Sequence, residues 1–389
     1  MNNPKIRFKH DDETEFPNWE MKKLGELTKQ ITVTVKNNIQ TNYTVYSVNN
    51  QKGFIPQTDQ FEDREVASKD KSNYRIVNHH QFAYNPSRIN VGSIAYLRDN
   101  MPVIVSPLYV VFECLSTLNP KFLDIYVRTF DFHKQRQINT AGSVRDSLSY
   151  DGFANIKIPV PHLEEQQKIS DFLSAVDEVI AQTDAEVHNL EQQKKAAMQK
   201  IFSQEVRFRR EEGEYPKWKD YRLEDVVIFL DEKRKPITSK FRKKGEYPYY
   251  GATGIIDYID NYIFDEELIL LSEDGANIVD RNYRISYIAI GKFWVNNHAH
   301  CLRAKEGFSS HFISEGLESI DYTMYNTGSA QPKLNQEVCR NLPIKCPCLE
   351  EQQKIADFLS AFDEAIGYAK QELDKWKELK KGLLQQMFV

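Results

Sequence analysis

Two long stretches of the chain place apolar residues at alternating intervals of four and three positions. The first series runs from Ile169 to Ile201, and the second runs from Ile355 to Met387. Heptad spacing kept over this length predicts a coiled coil rather than an ordinary amphipathic helix. Neither stretch contains proline, so the pattern predicts two uninterrupted helices, over residues 162–204 and 349–389.

The seam positions of these heptads predict where the two helices contact each other. They are Ile169, Leu173, Val176, Ile180, Val187 and Leu190 in the first helix, and Ile355, Leu359, Phe362, Ile366, Leu373 and Trp376 in the second. Polar residues interrupt the seam at Thr183, Lys194 and Lys380, and such residues typically set register or orientation at a cost in stability. The alternative is that both helices are simply the core of a bundle.

The two helices are copies of one sequence. LEEQQKISDFLSAVDE at 163–178 returns as LEEQQKIADFLSAFDE at 349–364, with an offset of 186 residues and fourteen of sixteen positions identical. A shorter lead segment is also repeated, so that Trp19 matches Trp218 after a proline turn. Repetition of this kind indicates a duplicated architecture. We expect each tryptophan to pack against a fixed surface.

Two variable regions with little shared sequence lie between the repeats. Short β-branched and aromatic runs, broken by Gly, Pro and Asn, predict a mixed α+β domain in each. The predicted order is a lead segment at 1–27, a variable domain at 28–161, a helix at 162–204, a repeated lead segment at 205–220, a second variable domain at 221–348 and a helix at 349–389. One scaffold with two different interiors suggests two sites for different ligands or ligand halves.

The net charge of −5 is a weak argument against binding of nucleic acid, and the argument loses force because the negative charge is concentrated in the two helices. Residues 163–203 carry eight acidic and four basic side chains, and residues 349–389 carry eight and six. Any basic surface that faces DNA must therefore lie outside the helices, and it is modest. No apolar run predicts a signal peptide or a membrane span. The cysteines number five, which is odd, and four of them lie in the second half, a pattern typical of a reducing cytoplasm.

No motif predicts a catalytic centre on this chain. The phosphate-binding loop, the dinucleotide-binding glycine turn and the GxSxG elbow are absent from the sequence. YNPSR at 84–88 is similar to the Asn-Pro-Pro-aromatic motif of amino-methyltransferases, but Ser87 and Arg88 depart from it and no Rossmann-type glycine motif accompanies it. A zinc site built from His298, His300 and the cysteines lacks the usual ligand spacing. We therefore expect no catalytic residue and no metal.

Polar and aromatic residues in the predicted loops are suited to nucleic acid. Arg and Lys donate to guanine, Asn and Gln pair with adenine, and Ser, Thr and Tyr commonly hold phosphates. For any single residue, a turn or core role is an equally good interpretation. The candidates are Ser47, Asn49, Asn50, Lys52, Gln57, Tyr84, Asn85, Ser87, Arg88, Ser106 and Tyr109 in the first domain, and Tyr249, Tyr250, Thr253, Ser272, Asn296, Asn297, His298, His300, Ser329, Gln331 and Lys333 in the second.

The repeated helix signature resembles that of the DNA specificity subunits of type I restriction–modification systems. The resemblance covers nearly the whole chain and rests on the paired LEEQQKI helices, on the lead segments PNW at 17–19 and PKW at 216–218, and on TGSAQPKL at 327–334. YNPSRINVGS at 84–93, VSPLYVVFE at 105–113 and FWVNNHAHCL at 293–302 support it. The first domain departs from the pattern where it ends in GSVRDSLSY, since the second ends in GSAQPKLNQ.

The resemblance implies two target-recognition domains held apart by an antiparallel pair of long helices. Each domain would read one half of an interrupted, asymmetric double-stranded DNA sequence. The helices would set the spacer and dock two adenine methyltransferase subunits, and motor-nuclease subunits would join for restriction. This chain would hold no cofactor, since S-adenosylmethionine, ATP and magnesium would belong to those partners. A stand-alone DNA-binding regulator and a coiled-coil assembly protein without a DNA role remain as alternatives.

Changing both helices by one heptad is expected to change the preferred spacer and to leave both half-sites unchanged, because seven helical residues span roughly 10 Å. Mapping methylated adenines in cells that carry each length variant measures the spacer directly. Retention of the original spacer would contradict the role of the helices as a ruler.

Overall fold

The computed structural model describes residues 4–37, 43–50, 52–60, 70–140, 147–328 and 332–388. The chain divides into two compact units, one of Met1–Gln182 with Glu372–Val389 and the other of Thr183–Gln371. Each unit therefore contains one variable domain and one part of each long helix. Among the residues described, no helix is long and apolar enough to span a membrane. All five cysteines are free thiols.

The elements of the first half of the chain precede and include the first long helix. The strands are β1 (Glu20–Lys23), β2 (Thr28–Ile31), β3 (Tyr46–Asn49), β4 (Gly53–Pro56), β5 (Arg75–Val77), β6 (Gln81–Tyr84), β7 (Ile94–Tyr96), β8 (Val103–Val105), β9 (Val110–Cys114) and β10 (Lys157–Val160). The helices are α1 (Leu24–Leu27), α2 (Gln57–Gln60), α3 (Pro120–Tyr126), α4 (Phe130–Thr140), α5 (Tyr150–Ala154) and α6 (Leu163–Phe202).

The second half repeats this plan and ends in the second long helix. The strands are β11 (Lys219–Arg222), β12 (Val227–Phe229), β13 (Lys244–Gly251), β14 (Gly254–Ile259), β15 (Phe264–Asp265), β16 (Leu268–Ser272), β17 (Ser286–Ala289), β18 (Lys292–Val295), β19 (Ala299–Ala304) and β20 (Pro343–Cys346). The helices are α7 (Leu223–Val226), α8 (Asn277–Asp280), α9 (Ser310–Ser319), α10 (Gln336–Arg340) and α11 (Leu349–Met387).

Both domains have the same central antiparallel sheet. Its strand order is β2-β9-β6-β7 in the first domain and β12-β19-β16-β17 in the second. In each, the lead strand also pairs with the strand before the long helix, β1 with β10 and β11 with β20. The strands outside this sheet differ between the domains: the first domain has the pairs β3-β4 and β5-β8, while the second has the sheet β14-β13-β18-β15. The predicted mixed α+β fold with two repeated domains is confirmed.

A buried ion pair fixes each lead segment to the start of a long helix. Arg7 donates to the Glu165 carboxylate through Nε and Nη2, at 3.0 and 2.8 Å. Arg207 donates to Glu351 in the same way, at 3.1 and 2.6 Å. Both glutamates are fully buried, so the two-pronged guanidinium bond compensates for their lost hydration.

The repeated tryptophans pack against fixed aromatic surfaces, as their position after a proline predicts. In each unit the indole lies edge-on to one phenylalanine of a domain helix and one at the end of a long helix, with ring centroids 5.7 to 6.4 Å apart. The three rings are Trp19, Phe122 and Phe388 in the first unit, and Trp218, Phe312 and Phe202 in the second. The lead segments therefore join each domain to both long helices.

The first turn of each long helix also holds a domain helix at its beginning. The N–H of Asn119, the N-cap of α3, donates to Gln166 Oε1 at 2.8 Å. The N–H of Ser309, the N-cap of α9, donates to Gln352 Oε1 at 2.9 Å. Residues conserved between the two copies of the helix therefore position the same domain helix in both units.

The long helices run antiparallel in each unit, and their polar seam residues form ion pairs. Lys380 of α11 donates to Asp177 of α6 in the first unit. Lys194 of α6 donates to Asp363 of α11 at 2.7 Å in the second unit. Asp177 corresponds to Asp363 and Lys194 to Lys380, since each two residues are 186 positions apart. The duplication therefore preserves this ion pair in both units.

The apolar seam residues differ in burial along each helix. The buried members are Ile169, Leu173, Val176, Val187, Ile355, Leu359 and Leu373. The half-buried members are Ile180, Leu190, Phe362, Ile366 and Trp376. In the first unit Ile169 and Leu173 share a core with Met387, and in the second Ile355 shares one with Ile201. The antiparallel pairing thus joins the start of one helix to the end of the other.

Replacing Lys194 by alanine is expected to lower the free energy of unfolding by about 3 kcal/mol or more. Its ammonium also donates to Glu315 of α9 at 3.1 Å, and the two side chains are only 8% and 9% exposed. The substitution removes one of the cations that compensate this buried carboxylate. Urea denaturation followed by circular dichroism measures the loss.

Lys380→Ala is the matched control for Lys194→Ala. The Lys380 and Asp177 side chains are 26% and 44% exposed, so breaking their bond should cost about 1 kcal/mol or less. Equal losses in the two variants would show that burial against α9 adds nothing to the Lys194 interaction.

Candidate nucleic-acid interface

Two loops occupy corresponding places in the two domains. One follows β6 or β16, and the other joins β8 to β9 or β18 to β19. Tyr84 pairs with Val110 where β6 ends and β9 begins, and Ser272 pairs with Ala299 where β16 ends and β19 begins. Because these strands are antiparallel neighbours, the two loops lie side by side in each domain.

In the first domain these loops join the turn between β3 and β4. Ser93 Oγ donates to the Val48 carbonyl at 3.0 Å, and the Val48 N–H donates to the Tyr109 hydroxyl at 3.4 Å. We use the name loop cluster 1 for residues 49–50, 52–53, 85–93 and 106–109.

Loop cluster 1 presents polar and cationic side chains to solvent. Asn50, Lys52, Ser87 and Arg88 are exposed. Within the described ranges, neither Lys52 nor Arg88 has an ion-pair partner, so both cations are available to a polyanion.

Five other candidate residues of the first domain are half-buried, and some of them form hydrogen bonds within their own turns. Asn49 Oδ1 accepts from the Lys52 N–H at 3.0 Å, and Asn85 Oδ1 accepts from the Ser87 N–H at 3.1 Å. Gln57, Ser106 and Tyr109 are half-buried, like both of these asparagines. These residues shape the turns and leave part of each side chain accessible.

Four segments converge in the second domain. Ser272 Oγ donates to the Ala252 carbonyl, the Glu273 N–H donates to the His298 carbonyl at 2.9 Å, and the Leu334 N–H donates to the Glu273 carbonyl at 2.8 Å. We use the name loop cluster 2 for residues 251–254, 272–275, 295–298 and 332–334.

Loop cluster 2 differs from loop cluster 1 because its basic side chains lie against carboxylates. Thr253, Asn297, His298 and Lys333 are exposed, and Tyr250 is half-buried. An Asp274 carboxylate oxygen lies 2.8 Å from His298 Nδ1, and a Glu273 oxygen lies 3.3 Å from Lys333 Nζ. These carboxylates reduce the attraction that the cluster by itself offers to phosphate.

Six residues that the sequence offered as DNA contacts lie in the interior. They are Ser47, Tyr84, Tyr249, Ser272, Asn296 and His300, each at most 6% exposed. Tyr84 packs against Phe112 and Phe153, and the Tyr249 hydroxyl accepts from the Ile237 N–H at 2.9 Å. Packing and internal hydrogen bonds account for these side chains, which do not reach the surface of the domain. Ser329 and Gln331 lie outside the described residues.

His300 supports loop cluster 2 from inside the domain. Its Nδ1 lies 2.6 Å from Asp231 Oδ2, and its Nε2 lies 2.9 Å from the Leu334 carbonyl oxygen. A carboxylate and a carbonyl both accept, so both ring nitrogens donate and the ring is an imidazolium. Burial is the largest influence and opposes this charge, but the hydrogen bonds and charge interactions with Asp231 and Cys339 together outweigh it and raise the pKa of His300 to about 10.

A basic segment beside loop cluster 2 escaped the sequence analysis. Residues 233–244 contain seven Lys and Arg residues and no Asp or Glu. Arg234 Nη1 donates to Glu273 at 2.6 Å, which fixes the start of the segment to the cluster. Counting charge in short windows would have found it, because the charge of the whole chain conceals it.

No group of three or more His, Cys, Asp or Glu side chains is arranged to hold a metal ion within the part of the chain that the structure describes. His298 and His300 each pair with an aspartate instead.

The stability of the second domain is expected to fall as pH rises from about 6.5 to about 10. The folded-state pKa of His300 is about 10, above the ordinary value of about 6.5. The stability that the charged ring gives the folded state is therefore complete below about pH 6.5 and is lost as pH rises through about 10. Thermal unfolding of the wild type and of His300→Gln between pH 6 and pH 10 measures the contribution of the charged His300 to stability. The wild-type advantage, about 5 °C or more at pH 6, should disappear by pH 10. A constant difference across this range would contradict the imidazolium assignment.

Comparisons with known proteins place these observations in one family. The model for the type I restriction modification DNA specificity domain matches residues 17–192 and 215–377. A Methanocaldococcus jannaschii protein assigned as the type I restriction enzyme MjaX specificity subunit is 24% identical, over 97% of this chain and 94% of its own length. A Haemophilus influenzae protein assigned as such a subunit is 35% identical, over 39% of this chain and 38% of its own length.

A solved structure shows the same fold over the full length. The S subunit of a type I restriction–modification system from M. genitalium has a TM-score of 0.65 at 14% identity, and the match covers 100% of this chain and 99% of that one. Since the family model matches most of the chain in two successive copies, the protein belongs to the family of type I restriction–modification DNA specificity subunits.

Proposed function

We propose that this chain is the DNA recognition subunit of a type I restriction–modification complex and that each domain reads one half of a bipartite double-stranded target. The observation that carries the proposal is the correspondence between the two loop clusters. The same loops, beside the same strands of a duplicated sheet, present different side chains. A constant scaffold with diverged surface loops suits recognition of two different half-sites.

The exposed residues of each cluster supply the chemistry of readout. In loop cluster 1, Arg88 can donate two bonds to guanine, Asn50 can pair with adenine, and Lys52 can hold a phosphate. In loop cluster 2, Asn297 can pair with adenine and Thr253 can hold a phosphate. Reading two half-sites through one covalently linked chain raises the effective concentration of the second contact, which favours a bipartite target over two separate sites.

Catalysis is assigned to partner subunits. Adenine methyltransferase subunits would supply S-adenosylmethionine chemistry, and motor-nuclease subunits would use ATP and magnesium. The long helices offer matched apolar positions for docking two methyltransferase copies, since Phe172 and Phe358 are 40% and 41% exposed and are related by the 186-residue offset. A chain from a structure that concerns assembly of a type I system has the same fold, with a TM-score of 0.55 over 96% of this chain. Such a complex would work in the cytoplasm.

Genome-wide mapping of N6-methyladenine tests the proposal. Cells that carry this chain and its methyltransferase should show an interrupted two-part motif, and this motif should disappear in cells that lack only this chain. No motif that depends on the chain, with both proteins present and associated, would favour a binding-only regulator or an assembly protein.

Exchange of residues 28–160 for those of another specificity subunit provides an internal control for the mapping. Only one half of the motif should change, because the second domain and its helix contacts are untouched. A change in both halves would contradict modular readout by the two domains.

A further inference from the structure

Hydrogen bonds hold the basic segment at 233–244 against the second domain. Arg234 donates to Glu273 at 2.6 Å and to the Ala299 carbonyl at 2.9 Å. The Trp294 indole N–H donates to the Lys235 carbonyl at 2.6 Å. These bonds join the first part of the segment to β18, to β19 and to loop cluster 2.

The second part of the segment is fixed by Arg242. Its guanidinium donates from Nε to the Ile237 carbonyl at 2.9 Å, lies 4.4 Å from the centre of the Tyr249 ring, and approaches Asp257 at 3.3 Å. Tyr249 in turn accepts from the Ile237 N–H. Both arginines of the segment are thus used to shape it, and they are not free for a ligand.

The lysines of the segment have a different environment. They are all exposed, and in the described ranges none lies within 4 Å of a carboxylate. These residues are Lys233, Lys235, Lys240, Lys243 and Lys244. The neighbouring acidic residues, Glu232, Glu246 and Asp260, are exposed and form no ion pair with them. Five cations on one anchored stretch repel one another, and a polyanion would relieve that repulsion.

In the described residues of loop cluster 2, the basic side chains of His298 and Lys333 already face Asp274 and Glu273. A domain that reads DNA needs backbone contacts to fix its register on the duplex. The bond from Arg234 to Glu273 places the start of the lysine segment directly beside the loops that carry the candidate base contacts.

We infer that residues 233–244 form a phosphate-binding arm, with which the second domain holds the DNA backbone next to the half-site read by loop cluster 2. The inference rests on the proposed function and adds to it the residues that provide affinity without base readout. The arm acts through charge, so its contribution depends on salt and is the same for target and non-target duplexes.

The test compares two sets of substitutions in the assembled complex of this chain with its methyltransferase. The arm variant changes Lys235, Lys240, Lys243 and Lys244 to glutamine, and it spares Lys233 because Lys233 lies two residues from the Asp231–His300 pair. The control variant changes four other exposed lysines, Lys157, Lys217, Lys219 and Lys345, to glutamine. Binding to a duplex with the mapped motif and to a duplex without it is measured by fluorescence anisotropy across a salt series.

The arm variant should bind both duplexes at least tenfold more weakly at low salt. The plot of log affinity against log salt concentration should become shallower by about 2 to 4, since each lost phosphate contact contributes about 0.9 to the slope. The methylated motif should stay the same. The control variant should match the wild type, and arginine at the four arm positions should restore the slope.

Three outcomes would contradict the inference that residues 233–244 bind phosphate. An unchanged slope and affinity would show that the lysines do not contact DNA. An altered second half-site would show that they read bases, and weakened assembly with the methyltransferase would show that they bind protein. Failure of the wild-type complex itself to bind or methylate a motif would instead refute the proposed function, so the two failures are distinguishable.

Discussion

The arrangement of each unit depends on a buried glutamate in the first turn of a long helix. Glu165 and Glu351 lie without solvent exposure, and each is held by an arginine from a lead segment. An unpaired carboxylate at such a site would cost several kcal/mol, so the lead segment has to remain attached to the helix. That attachment fixes the paired lead strands and the repeated tryptophans. It therefore determines where the central sheet of each domain, and the loops at its end, are held.

The duplication separates what must stay constant from what can change. Residues that join a domain to a helix are identical or equivalent in the two copies, as in the helix glutamines that hold the N-caps of α3 and α9. The peripheral strands and loops differ, and so do their electrostatics: among the described residues, Lys52 and Arg88 of loop cluster 1 have no ion-pair partner, while His298 and Lys333 of loop cluster 2 face carboxylates. Such a division lets the recognition surface of one domain change while its attachment to the helices stays intact.

The net charge of the whole chain hides local clusters of charge. The helices carry a large share of the acidic residues, while twelve consecutive residues of the second domain contain seven basic ones. Two of these, Arg234 and Arg242, act as structural anchors through carboxylate, carbonyl and aromatic contacts. The lysines around them keep their charge exposed. The different roles follow from chemistry, because guanidinium forms several directed bonds whereas an ammonium group acts largely as a solvated point charge.

The sequence by itself determined the repeat, the two long helices, the mixed α+β class and the family, because heptad spacing and duplicated segments are local patterns. It also marked Lys194 and Lys380 as polar seam residues, but only the tertiary structure showed that Asp363 and Asp177 are their partners. The surface of the candidate interface was likewise decided by folding. Tyr84 and His300 have side chains that suit DNA, yet they lie in inner strands that are buried on both faces, while Arg88 and Asn297 remain outside. Residue type reports what a side chain could bind, and long-range packing decides which side chains can be reached.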